Sequence, residues 1–305
     1  MPEKDTLCAE AAPKTNIETI IRRPITRFTA ILTVYNRLEL TKKCLETLFE
    51  QTRKMRVQLS VVIVDDGSTD GTAEFLARTY PGDVRVINSD GHLYWSAGMA
   101  LAESTARKTL PDALIWINND VTFMPNALRT ILKTAEELHW NSIVSGAMQN
   151  QSASSTTYSA FAKVSRNPGK LRLITPEDCR KRVDTVNGNF VLVPRSVYQR
   201  LGGIDKFFAH AYGDIDYGLR AGRLGIECWL APGYLGVCDR NSNLRTWHDP
   251  TTPKYERLID LFGRKGLPMK SHVRFVRRHG GHLWPLYVAR TYGKAIVLIL
   301  LGRSA

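Results

Sequence analysis

The sequence predicts an α/β protein built on a Rossmann-like, mostly parallel, doubly wound sheet with helices on both faces. Three observations carry this. Residues 59–64 form a β-branched apolar run, Leu-Ser-Val-Val-Ile-Val, that stops abruptly at Asp65-Asp66-Gly67-Ser68. A continuous run of this kind suits a strand covered on both faces. A second apolar run, 113–117, stops in the same way at Asn118-Asn119-Asp120. Around them, strand-like and helix-like segments alternate, the pattern of a parallel sheet.

In chain order, 28–34 reads as the first strand, and 38–49 carries Leu38, Cys44, Leu45, Leu48 and Phe49 at helical spacing. The strand at 59–64 delivers Asp65 and Asp66 to its carboxyl end, where open α/β sheets bind ligands. Gly67 and Gly71 permit a tight turn, and Ser68, Thr69, Asp70 or Thr72 is suited to cap a helix starting near Ala73. The same residues also suit a plain strand-to-helix turn. A short strand follows at 84–87, a helix at 96–108, the strand at 113–117, and a helix with Pro125 in its first turn running to about Leu138. Beyond a strand at 143–147, residues 149–157 are rich in Ser, Thr and Gln and read as a loop. Strands are expected near 158–164 and 185–193, then a helix at 194–201 closed by Gly202-Gly203, a helix at 214–224 and a strand at 226–230. No internal repeat is present.

The chain has 305 residues, 43% hydrophobic and 23% charged, ordinary values for a folded protein with a substantial core. Its five cysteines, Cys8, Cys44, Cys179, Cys228 and Cys238, are scattered, without a C-x-x-C pair or zinc-ligand spacing, which points to reduced thiols in the cytoplasm. Residues 1–26 lack an apolar signal-peptide core and are expected to form a flexible tail. The longest apolar run, 295–301, is too short to span a bilayer. The net charge of +13 is uneven: from Arg245 onward there are twelve Lys/Arg and three Asp/Glu. This basic stretch, interleaved with Phe275, Trp284, Tyr287 and Tyr292, either lies on an anionic membrane surface or packs its aromatic residues inward as a solvated appendage.

Further motifs complete the pattern. Leu32-Thr33-Val34-Tyr35-Asn36-Arg37 ends the first strand. The stretch 90–99, Asp-Gly-His-Leu-Tyr-Trp-Ser-Ala-Gly-Met, opens a helix with small residues, suited to bring backbone N–H groups to an anion. Asn187-Gly188-Asn189 precedes a strand, and Tyr212-Gly213-Asp214-Ile215-Asp216 leads to Arg220 four residues on, within pairing distance of Asp216 on a helix. Trp247-His248 follows.

In this order, these motifs make 28–247 resemble the inverting family 2 glycosyltransferases of GT-A fold, and among them bacterial, rhamnosyltransferase-like enzymes of surface-polysaccharide synthesis. The resemblance implies a nucleotide-sugar-binding half, 27–122, and an acceptor-binding half, 123–245; the basic stretch beyond, 246–305, is expected to be a partly amphipathic helical region. It implies that Thr33, Tyr35, Arg37, Asp66, Trp95, Gly98 and Asn118 bind the donor, Asp66 accepting from the imide N–H of uracil or thymine. Trp95 has an alternative place, packed under the sheet. Asn118-Asn119-Asp120 stands where the family has D-x-D, leaving Asp120 as ligand for Mg²⁺ or Mn²⁺, with His248 as a second metal contact and His210 competing for that role. Asp214 takes the place of the catalytic base, or else caps its helix; Asp216, Arg220 and Asn187 contact or position the acceptor.

The reaction implied is single displacement from a UDP- or dTDP-sugar to a hydroxyl of a glycan or lipid-linked glycan. The leaving diphosphate is assisted by metal, and a base takes the acceptor proton. A sugar-phosphate nucleotidyltransferase is the competing enzyme class, but it would carry a glycine-rich loop where this chain has Tyr35-Asn36-Arg37. A non-catalytic nucleotide-sugar-binding protein is a further alternative. Nucleic-acid binding has only the net charge in its favour, since no recognised motif is present. A lipid-linked acceptor would place a cytoplasmic protein at the inner face of the membrane.

Overall fold

A computed structural model describes residues 26–55, 57–240, 247–263 and 266–304; the expected tail falls almost entirely outside them. The first part of the chain runs β1 (Arg27–Val34), α1 (Leu38–Arg53), β2 (Gln58–Asp65), α2 (Thr72–Thr79), β3 (Val84–Asn88), α3 (Tyr94–Ala106) and β4 (Ala113–Ile117). Then follow β5 (Thr122–Phe123), α4 (Ala127–Glu137), β6 (Ile143–Gln149), β7 (Thr156–Tyr158), β8 (Phe161–Lys163), β9 (Leu171–Leu173), β10 (Lys181–Val183) and β11 (Phe190–Pro194). The remainder is α5 (Arg195–Leu201), α6 (Gly213–Arg223), β12 (Cys228–Val237), α7 (Lys254–Phe262), α8 (Met269–His279) and α9 (Trp284–Leu300).

The main sheet has the order β10-β12-β6-β11-β4-β1-β2-β3, with β5 added to β12 and β7 to β6. Strands β3, β2, β1 and β4 are parallel neighbours. Strand β11 runs antiparallel between β4 and β6. The chain between β6 and β11 contains only short strands and loops, and without a crossover helix it cannot return in the parallel sense.

Alternate residues of the central strands feed two cores. On one face, Ala30, Leu32, Ile115 and Ile117 meet Leu45 and Leu48 of α1, Leu76 of α2 and Ile131 of α4. On the other, Ile31, Leu114 and Trp116 meet Met99 and Ala102 of α3, Tyr198 of α5 and Tyr217 of α6. Each fully buried aliphatic side chain contributes about 1.5–3 kcal/mol. Double-sided burial is why these strands read as continuous apolar runs.

Several boundaries differ from expectation. Helix α1 continues to Arg53, and the side chain of Gln51 accepts a hydrogen bond from Leu128 N at the start of α4. Pro125 lies before α4, whose N-cap is Asn126 in the left-handed region at φ 67°. Strand β12 extends to Val237 through register shifts between Leu230 and Gly236. Strands β9 and β10, three residues each, are too short to leave a periodic signal.

The three C-terminal helices form small cores of their own. Leu261 of α7 packs with Tyr292, Ala295 and Ile299 of α9, while Phe275 and Val276 of α8 pack on Phe208 and Leu219. The buried Arg257 donates to the carbonyls of Trp247 and Arg303. Of the four aromatic residues singled out in this region, Phe275 and Tyr292 are buried and Trp284 and Tyr287 partly so, facing inward.

Candidate active site

At the carboxyl ends of β1, β2 and β4 the structure opens a cavity of about 650 Å³. The parallel register sets Val34 beside Asp65 and Ile31 beside Trp116, so the loops that follow each strand converge at one end of the sheet. Of the expected donor-side residues, Thr33, Tyr35, Arg37, Asp66, Trp95 and Asn118 line this cavity. Asp120, Asn187 and Asp214 line its remaining side.

Asp66 is tied into the scaffold. Its Oδ1 accepts from Ser89 Oγ at 2.6 Å and Leu93 N at 3.1 Å, and its Oδ2 accepts from Tyr94 N at 2.8 Å. The carboxylate therefore caps α3 and sets its start at Tyr94, a long-range cap invisible to local reading. The next N–H groups, of Ser96 and Ala97, donate to the Ala209 carbonyl. The expectation that this helix start cradles a diphosphate is thus corrected in part: Asp66 and Ala209 take the N–H groups of Tyr94, Ser96 and Ala97. Gly98 is corrected likewise. It is absent from the cavity lining, and a Cβ there would sit 2.5 Å from Thr33 Oγ1, so its lack of a side chain lets α3 approach β1.

Trp95 Nε1 donates to Asn118 Oδ1 at 2.7 Å, and Asn118 Nδ2 donates to Asn189 Oδ1 at 2.7 Å. The indole lies so close over Gly188 that a Cβ there would overlap the ring. Asp120 Oδ2 accepts from Arg37 Nη1 at 2.8 Å, and its Oδ1 accepts from Cys238 Sγ at 3.4 Å. Burial, with the charge of Asp120, raises the pKa of Cys238 and of Cys44, so both stay neutral thiols.

Asp214, in the first turn of α6, is 9% exposed. Its Oδ2 accepts from Gly188 N at 2.9 Å and, more weakly, from Asn187 Nδ2 at 3.4 Å; its Oδ1 accepts from Ile215 N at 2.8 Å. Burial raises its pKa above the usual carboxylate value in spite of the backbone donors. A carboxylate so held is a base with increased proton affinity, aimed into a cavity.

Asp216 and Arg220 are placed elsewhere, correcting their expected contact with an acceptor. Their pairing does form, Arg220 Nε to Asp216 Oδ2 at 2.8 Å. Asp216 is fully buried behind α6, where Arg278 and His279 of α8 also donate to it. Arg278 and Arg274 continue the cluster to Asp205. These charges hold Asp205 and Asp216 below the usual carboxylate range. His248 is exposed, stacked against Trp247, and is not a lining residue, whereas His210 is.

Tyr212, Tyr94 and Asn189 line the cavity and were not singled out from sequence. Tyr212 and Tyr94 adopt φ of 77° and 58°, a backbone state that costs non-glycine residues energy and tends to gather at functional sites. Tyr212 is also hydrogen-bonded to His272 Nδ1 at 2.9 Å and stacks on Phe275, both of α8. The sequence signal for this role is their place inside the motifs at 90–99, 187–189 and 212–216.

No group of three or more His, Cys, Asp or Glu suited to a metal occurs among the described residues. Of the lining carboxylates, Asp66 and Asp214 are fastened by backbone N–H groups. Asp120 is held by a half-exposed arginine side chain and a thiol, partners that can exchange. One such carboxylate completed by phosphate oxygens and water is an acceptable set for Mg²⁺ or Mn²⁺, so the residues present fit a metal through Asp120.

The family profile described as "Glycosyl transferase family 2" matches residues 29–202. Two Mycobacterium tuberculosis proteins, from strains CDC 1551 / Oshkosh and ATCC 25618 / H37Rv, are each described as N-acetylglucosaminyl-diphospho-decaprenol L-rhamnosyltransferase. Each is 26% identical over 199 residues, 57% of this chain and 63% of the relative, so the match spans less than two thirds of their length. Among solved structures, the Pyrobaculum calidifontis mannosyltransferase PcManGT in complex with GDP-Man and Mn²⁺ aligns over 90% of this chain and 73% of its own, at 18% identity and TM-score 0.54. GalNAc-T7 with UDP, GalNAc and Mn²⁺ aligns over 92% and 57%, at 11% identity and TM-score 0.57. TarS of S. aureus aligns over 90% and 55%, at 14% identity and TM-score 0.54. At these identities the likeness is one of fold.

Proposed function

The chain belongs to the family 2 glycosyltransferases, and on that premise we propose that it transfers a sugar from a UDP- or dTDP-linked donor, with inversion, to a hydroxyl of a glycan or lipid-linked glycan. The observation that carries this reading is Asp214: a buried carboxylate of raised pKa, lining the cavity opposite the strand ends that supply Thr33, Tyr35 and Asp66.

In the reaction, the acceptor oxygen bonds to the anomeric carbon while the bond from that carbon to the diphosphate oxygen breaks, its electron pair leaving with the diphosphate. Asp214 accepts the acceptor's proton as the new bond forms. Gly188 N and Ile215 N hold its oxygens, so the base is oriented before the acceptor arrives. Arg37, lining the same cavity, offers positive charge to the diphosphate. Tyr35, 57% exposed, offers a face for the nucleotide base. Asp120 would hold a divalent cation, and the cation would act as a Lewis acid on the leaving diphosphate.

The relatives' description names a lipid-diphosphate acceptor, which supports a lipid-linked glycan here and a reaction at the cytoplasmic membrane face. Buried thiols at Cys44, Cys228 and Cys238 suit a reducing cytoplasm. The test is release of nucleoside diphosphate from a panel of UDP- and dTDP-sugars, with Mg²⁺, Mn²⁺ or chelator, beside Asp120→Ala and Asp214→Ala. Turnover of one donor, lost in Asp214→Ala and giving an inverted product by NMR, is expected. A retained anomeric configuration, or no donor binding under any condition, overturns the proposal.

A further inference from the structure

We propose that the outward faces of α7 and α9 form a docking surface for an anionic lipid bilayer, on which the protein lies without crossing. On α7, Tyr255 and Ile259 are 66% and 69% exposed and Phe262 is exposed beside them. Spacings of four and three residues put all three on one side of the helix. On α9, Leu286, Val297, Leu300 and Leu301 are exposed, the first and last at 65% and 61%, and the same periodicity aligns them. These are not side chains left over from a loose core. The inward sides of both helices are filled by Leu261, Tyr292, Ala295 and Ile299, and Phe262 stacks on Tyr292. Apolar side chains displayed on two adjacent packed helices mark a surface that is covered in use.

Charge identifies what covers it. Residues 254–305, from the start of α7, contain eleven Lys/Arg against two Asp/Glu, Glu256 and Asp260 of α7. Arg290 and Lys294 are exposed and share the helical face of Leu286 and Val297, and Lys270 and Arg277 are exposed along α8. An anionic bilayer satisfies both features, taking the apolar side chains below its headgroups and pairing the cations with them. A second copy of the chain would instead set this excess of positive charge against itself.

The geometry also distinguishes lying on the bilayer from spanning it. The stretch Gly281–Leu300 is long and apolar enough to cross. Arg290 and Lys294, however, stand within it, and the Lys254 ammonium donates to the Leu300 carbonyl, fastening α7 to the end of α9. Crossing would bury both cations and empty the α7–α9 core.

The surface is joined to the cavity through α8, whose His272 holds Tyr212 and whose Arg278 and His279 hold Asp216, at either side of Asp214. The inference deepens the lipid-linked reading of the acceptor, but its test reads binding alone and so fails or stands separately from donor turnover.

The experiment is flotation of the full chain with vesicles of phosphatidylglycerol and phosphatidylcholine, or of phosphatidylcholine only, at low and high salt. It is run beside Ile259→Glu/Leu300→Glu and Arg290→Glu/Lys294→Glu. Flotation on anionic vesicles, weakened by salt and reduced at least tenfold in both variants with unchanged melting temperature, is expected. Variants that melt early are replaced by Ile259→Ser/Leu300→Ser and Arg290→Gln/Lys294→Gln. No flotation, flotation indifferent to the substitutions, protection of α9 from protease inside the vesicle, or a stable dimer abolished by Ile259→Glu/Leu300→Glu would each overturn the proposal.

Discussion

Arg37 and Asp120, 83 positions apart, meet at 2.8 Å at the mouths of neighbouring strands, the guanidinium holding the one carboxylate of the Asn-Asn-Asp stretch. The arginine thus occupies the oxygen that a divalent cation would take. Removing it should let Mn²⁺ bind Asp120 more tightly in the absence of nucleotide. A half-exposed ion pair of about 0.5–1 kcal/mol corresponds to a roughly two- to fivefold gain for Arg37→Ala. Titration followed by Mn²⁺ electron paramagnetic resonance checks this, and Asp120→Ala should abolish the binding in either background. Nucleotide affinity should fall in Arg37→Ala, because the same guanidinium lines the cavity proposed to take the diphosphate.

Asp214 has to be ionised to take a proton, and burial raises its pKa. Activity should therefore fall as pH drops through a value above the ordinary carboxylate range, and recover fully on the alkaline side. Asp214→Asn removes the base while keeping the shape. It should lower kcat by about 10²–10⁴-fold, the usual contribution of general base catalysis, and leave donor affinity nearly unchanged. A pH–rate profile and isothermal titration with the nucleoside diphosphate give the two readings.

A methyl group at Gly188 would overlap the Trp95 ring, and Trp95 holds Asn118 through its Nε1. Gly188→Ala should push the indole into the cavity and loosen the grip of Gly188 N on Asp214. At least a tenfold loss of kcat/KM is expected, with a quenching or spectral change of tryptophan fluorescence that a remote defect would not produce. Gly222→Ala, which meets no atom within 4 Å, is the control and should behave as wild type.

Glu103 is buried, its Oε2 accepting from Ile204 N at 2.7 Å, and burial raises its pKa from 4.5 to about 7. A carboxyl whose folded pKa is raised contributes stability that is full below pH 4.5 and is lost as pH climbs through about 7. The shift corresponds to roughly 3 kcal/mol. Glu103→Gln keeps the acceptor for Ile204 N without the charge, so its stability relative to wild type should rise from pH 4.5 to about 7 and then level off. His272 and His279, pushed down by burial, are common to both proteins and cancel in the difference. Urea denaturation of both proteins across this range is the measurement.

The fold was legible because its signals are local. The apolar runs at 61–64, all β-branched, and 113–117 suit strands buried on both faces, and each stopped at polar residues that topology places at the binding edge. The motifs at Thr33, Tyr35, Asp66, Asn118, Asp120 and Asp214 follow strand ends or open a helix beside one, so a correct strand order was enough to gather them at one cavity. Gly98, Asp216, Arg220 and His248 sit just as near those motifs in sequence and lie outside the cavity. Their directions are set by partners that no local pattern names: Thr33 of β1 for Gly98, and α8 for Asp216. The C-terminal helices show the same division. Composition alone established that the region is basic, aromatic and helical. Tertiary packing decided that Phe275 and Tyr292 turn inward while Tyr255, Ile259, Leu286 and Val297 face out, because each helix has one face to bury and only the neighbouring helices determine which.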